Sequence, residues 1–130
     1  MKRLSVLAFV LLLSAWVSLP VSVFALEVAE GVITSQVSDR KPVDSLTSYS
    51  ADIGKLYCFT HIVGAESDSK VTHVWYRGEE EMARVDLAVR SDNWRTWSSK
   101  TLLPQWTGNW RVDVLDGDGA VIHTIAFTLN

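Results

Sequence analysis

The chain has 130 residues, 48% of them hydrophobic and 21% charged, with a formal net charge of −3 and a single cysteine. A mildly acidic chain without a basic run lacks the clustered positive charge that displaces counterions, which excludes a nucleic-acid partner. One cysteine closes no intramolecular disulfide, so the fold must rest on its apolar core.

Residues 1–25 read as a secretory signal peptide. Lys2 and Arg3 form a short basic start, residues 4–17 are almost wholly apolar, and Pro20 breaks any helix. Val23, Phe24 and Ala25 then place small residues at the alternate positions a signal peptidase reads. Cleavage is expected after Ala25, leaving residues 26–130 as one domain in the periplasm or secreted. Loss of Lys2 and Arg3 takes the formal charge from −3 to −5. The alternative is an uncleaved anchor, because residues 4–26 carry no charge and are just long enough to span a bilayer. Only in that case would the membrane be a partner. No cysteine stands near the cleavage site to carry a lipid.

In the mature part the apolar residues come in short runs separated by turn chemistry, the spacing of an all-β domain. A first strand is expected over residues 28–37, on Val28, Val32, Ile33 and Val37. Residues 38–54 are polar, contain Pro42, and read as a long connection. Residues 55–63, KLYCFTHIV, are apolar on both faces, as in a central strand. A third strand spans 71–77, and GEEE follows as an acidic turn. Residues 82–89 set Met82, Ala83, Val85, Leu87 and Val89 against Arg84, Asp86 and Ala88.

Further strands are expected at 94–103, ended by Pro104, and at 109–115, where Trp110, Val112 and Val114 share a face. Asp116-Gly117-Asp118-Gly119 is a hairpin turn, because Asp-Gly tolerates the positive φ such turns need. Residues 120–129 close the domain, with Val121, Ile125, Phe127 and Leu129 in one parity. About seven strands in this length predict an antiparallel β-sandwich, since one open sheet would leave an apolar face wet. Cys58 on the second strand and Trp75 on the third echo an immunoglobulin-like plan, although the second cysteine of such domains is missing.

No arrangement reads as catalytic. A blue-copper centre needs a thiolate, two imidazoles and usually a methionine at close range. Cys58 and His61 are three residues apart, so on a regular strand they face opposite ways, and no methionine follows closely. The same parity weakens a Cys58–His61 nucleophile pair; His73 could approach Cys58 from a neighbouring strand, but no signature supports that pairing. The DGDG turn lacks the further oxygens and closing glutamate of a calcium loop. No phosphate loop, nucleophile elbow or zinc-protease motif occurs. The expectation is a non-enzyme with no cofactor and no metal.

The tryptophans pose the remaining question. Four of the six lie in WRTWSSKTLLPQWTGNW, residues 94–110. Trp110 and Trp75 are expected in the core. Trp94 and Trp97 differ by three, so without a bulge they point to opposite faces, and Trp106 lies in a turn. At least one indole is expected to be partly exposed, either capping the sandwich or presented to a ligand. Trp94, Arg95, Trp97 and Trp106 are the candidate contact residues.

The strings LYCFTHIVGA, VTHVWYRGEEEMARVDLAVRSDNWRTWSSKTLLPQWTGNWRVDVLDGDGAVI and FTL resemble the bacterial family DUF2914 over roughly residues 28–129. The resemblance implies a compact β fold in the cell envelope and supplies no catalytic residues. The expected function is a non-catalytic interaction or accessory module with an envelope protein as its partner. The alternative is a carbohydrate-binding module that takes a glycan on exposed tryptophan.

Overall fold

Among the described residues there are ten strands, the long ones following the alternating runs: β1 (Glu27–Thr34), β2 (Val37–Ser38), β3 (Lys41–Pro42), β4 (Ser48–Tyr49), β5 (Lys55–Val63), β6 (Ser69–Arg77), β7 (Glu80–Val89), β8 (Asn93–Thr101), β9 (Gly108–Leu115) and β10 (Val121–Leu129). This is a computed structural model, and it describes residues 14–16 and 25–130. Nearly all of the expected signal segment therefore lies outside the described residues. Ten strands replace the expected seven. The seven long ones follow the expected runs, except that β1 stops at Thr34 and Val37 falls in β2, while β2, β3 and β4 have two residues each. These short bridges fall around the segment read as a plain connection, because a two-residue pairing leaves no periodicity to read. A 3-10 turn, Ala51–Ile53, completes that connection.

The long strands form two sheets. One has the order β1-β5-β8; the other has β4-β10-β9-β6-β7, with β2 and β3 forming a separate ribbon. Every pairing between long strands is antiparallel, and only the short β4 runs parallel to its neighbour β10. Counting long strands alone, the first, second and fifth share one sheet, and the third, fourth, sixth and seventh share the other. That is an immunoglobulin-like Greek key in which the fourth strand pairs with the third instead of the fifth.

Two apolar clusters fill the space between the sheets. In the first, Ile33, Leu56 and Cys58 from one sheet meet Trp75, Trp110, Val112 and Phe127 from the other. Phe127 stands edge-on to Trp75, ring centroids 6.2 Å apart, and stacks on Trp110 at 5.9 Å. Trp75 and Trp110 are buried, as their positions on β6 and β9 predicted. The second cluster gathers Ile62, Val71, Val89 and Val114.

Two bulges revise the expected faces. In β10 the register shifts between Val121 and His123, so the residues before and after the bulge have opposite parity. Val121 is therefore exposed, contrary to the face assigned to it, and Ile122 packs against the second cluster. In β7, Tyr76 pairs with Glu81 while Trp75 pairs with Ala83, which leaves Met82 as the extra residue. That is why Met82 and Ala83, adjacent in sequence, both pack on the first cluster. The acidic turn is also shorter than expected: Glu80 and Glu81 belong to β7. Gly31 marks where β1 passes close to β10. A Cβ there would sit 2.9 Å from His123 Cδ2, so only glycine fits without displacing the imidazole.

Candidate functional site

The β5–β8 register runs unbroken from Lys55 opposite Thr101 to Val63 opposite Asn93. With no bulge, parity decides where each tryptophan of β8 goes. Trp94 stands opposite Ile62 and packs against the second core cluster. Trp97 stands opposite Phe59 on the outer face of the three-stranded sheet and remains 37% exposed. The two rings stack, centroids 6.4 Å apart and planes 17° from parallel. Phe59 is buried yet belongs to neither core cluster.

The register of β1 on β5 completes this outer face. Val32, Phe59 and Trp97 form one row across the three strands, and Glu30, His61 and Arg95 form the next. His61 Nε2 is hydrogen-bonded to the side chain of Asn93. One row to the other side lies Tyr57, with Lys55 Nζ 5.9 Å from its ring centroid. An aromatic strip is thus bordered by an acid on one edge strand and a guanidinium on the other.

Trp106 lies elsewhere. Its ring leans on Trp110 at 6.2 Å, and its carbonyl accepts the Trp110 indole N–H at 2.9 Å. Lys100 Nζ stands 5.0 Å from the Trp106 ring. Its role here is to cap the first cluster. Of the four candidate residues, the structure brings Arg95 and Trp97 together on the outer face, and packs Trp94 and Trp106 against the two halves of the core. Glu30, Val32, Tyr57, Phe59 and His61 join the face, although none was among the candidate contact residues. Only cross-strand register reveals them.

Of the groups considered for catalysis, Cys58 and His73 are engaged in the core. Cys58 is fully buried, and burial pushes its thiol well above the usual range. His61 lies on the opposite face of β5, as parity required. His73 is fully buried on β6, where its partners are Thr60 and Ser98. Thr60 Oγ1 donates to the Thr96 carbonyl at 3.0 Å, so it must accept the proton of His73 Nε2 at 3.1 Å. Ser98 Oγ accepts from Trp75 Nε1 at 3.1 Å and donates to His73 Nδ1 at 2.7 Å. This one-way chain fixes a neutral imidazole bridging β5, β6 and β8, and burial lowers its pKa to about 4.

In the β9–β10 turn, Asp116 Oδ1 accepts from the backbone N–H groups of Asp118 and Ala120 at 2.9 and 3.0 Å, the work of a turn aspartate. Glu81 is paired with Arg84 at 2.8 Å. Among the described residues, no three of His, Cys, Asp and Glu converge as metal ligands would, and no helix is long and apolar enough to cross a membrane.

Fold and face together define the class: an immunoglobulin-like β-sandwich domain with an aromatic, charge-bordered outer sheet face. Residues 68–129 match the model of a family described as a protein of unknown function, DUF2914. Over that span the chain is similar to DUF2914, and the matched stretch begins later than the resemblance read from residue 28. The matched span contains Arg95 and Trp97, whereas Glu30, Val32, Phe59 and His61 precede it. No curated protein matches the chain.

Proposed function

We propose that this protein is an exported, non-catalytic interaction module of the bacterial cell envelope, and that it binds protein through the outer face of β1, β5 and β8. The observation that carries the reading is Trp97, 37% exposed and stacked on Phe59 with Arg95 one row away. An aromatic ring and an arginine on a rigid sheet are the residue types that anchor protein contacts. Cys58 and His73, the chemistry-bearing candidates, are both taken up by the core, which supports a non-catalytic role. Export is supported by the basic start, the uncharged apolar run and the small residues before position 26. Protein is favoured over glycan because a single tryptophan is presented: Trp94 and Trp106 are committed to packing.

The test is capture from envelope extract by immobilised wild-type protein, with Trp97→Ala alongside. The reading expects a specific envelope protein retained by the wild type and lost by Trp97→Ala. The variant should keep its fold, because the ring lies outside both clusters. A Trp75→Ala control, by contrast, should lose about 3–5 kcal/mol. If Trp97 fluorescence instead responds saturably to peptidoglycan fragments or a polysaccharide, the face is a glycan platform and the protein reading falls.

A further inference from the structure

We propose that the outer face of the three-stranded sheet pairs with the same face of a second copy of this chain. The proposal rests on the reading above, that this face is an interaction site, and specifies the occupant. Its basis is the arrangement of charge across the register. Glu30 and Arg95 occupy one row, on opposite edge strands with His61 between them, and Val32 and Trp97 flank Phe59 in the next row.

Neighbouring strands are about 4.8 Å apart, so Glu30 and Arg95 sit roughly 10 Å from one another within a single sheet. Among the described residues neither takes part in an ion pair. The face carries its own complement, left unpaired within one molecule.

A two-fold axis running along β5, between two facing sheets, brings the complement together. It lays β1 of each copy over β8 of the other. Glu30 then meets the partner's Arg95 and Trp97 meets the partner's Val32, each contact occurring twice, as an isologous interface requires. Sheets pack face to face at about 10 Å with strands nearly aligned, which leaves room for the interleaved side chains. The other in-plane axis, across the strands, would set Arg95 on Arg95 and Glu30 on Glu30. Like-charge contact at both edges disfavours that axis through this row. The axis along β5 sets Lys55 and His61 over their own copies but pairs both edge charges with their complements.

Sedimentation velocity of the purified protein tests this with four chains: wild type, Arg95→Glu, Glu30→Arg and the double reversal. The wild type should show a concentration-dependent dimer, weaker at high salt. Each single reversal should raise the dissociation constant roughly 10-fold or more, because it replaces two attractive contacts with two repulsive ones. The double reversal should return it to near the wild-type value. Association through the apolar N-terminal segment would be indifferent to all three substitutions. A wild type that stays monomeric up to its solubility limit overturns the proposal, as does a dimer unchanged by single reversals or not restored by the double. A monomer that still captures a different envelope protein through Trp97 would overturn self-pairing and leave the broader reading standing.

Discussion

His73 ties the two sheets together only while its ring is neutral. Ser98 donates to Nδ1, and a protonated ring would present a second N–H to that hydroxyl in place of a lone pair. Burial lowers the folded-state pKa from 6.5 to about 4. The unfolded chain therefore takes up this proton first as acid is added, and stability that is fully present above pH 6.5 is lost as the pH falls towards 4. The loss is on the order of 3 kcal/mol by linkage. Urea midpoints measured between pH 7 and 4.5 should fall for the wild type, and the slope in this window should flatten in His73→Gln. An equal slope in both proteins would show that carboxylates, and not this imidazole, govern the acid response.

At the scale of elements, protection should follow position in the sheets. β5, β6 and β9 are bonded on both sides, whereas β2, β3 and β4 contribute two residues each. Native-state hydrogen exchange should be slowest in β5, β6 and β9 and fastest in β2 and β3. Slow exchange in the β2–β3 ribbon would mean that the connection is part of the cooperative core. The seven long strands were legible because half-buried strands write their faces as alternation. The Asp-Gly turn before β10 was legible from its own residues.

What escaped reading was non-local. The bulges at Met82 and Ile122 shift parity without a turn residue to announce them, so Val121 was placed on the wrong face. The opposition of Trp94 and Trp97 followed from their spacing alone. The rest of the outer face did not, since Val32, Phe59 and Trp97 become neighbours only through the pairing of three strands distant in sequence. Gly31 likewise has no meaning in the sequence until β1 lies against His123.

For the whole molecule, the account is a division of aromatic labour. Trp75 and Trp110 build the first cluster, Trp106 packs on that cluster and Trp94 on the second, and Trp97 is left outside on a face whose edges carry opposite charge. The immunoglobulin-like order makes this division possible, because a three-stranded sheet with nothing from the second sheet on its outer side leaves one face to be used. The measurement that tests it most directly is the fluorine NMR spectrum of protein labelled with 5-fluorotryptophan, assigned by single Trp→Phe substitutions and recorded in light and heavy water. The Trp97 resonance should show the solvent isotope shift of an exposed ring, Trp75 and Trp110 should show none, and Trp94 and Trp106 should fall between. A Trp97 resonance as indifferent to solvent as that of Trp75, with the exposed shift on Trp94 instead, would contradict the account.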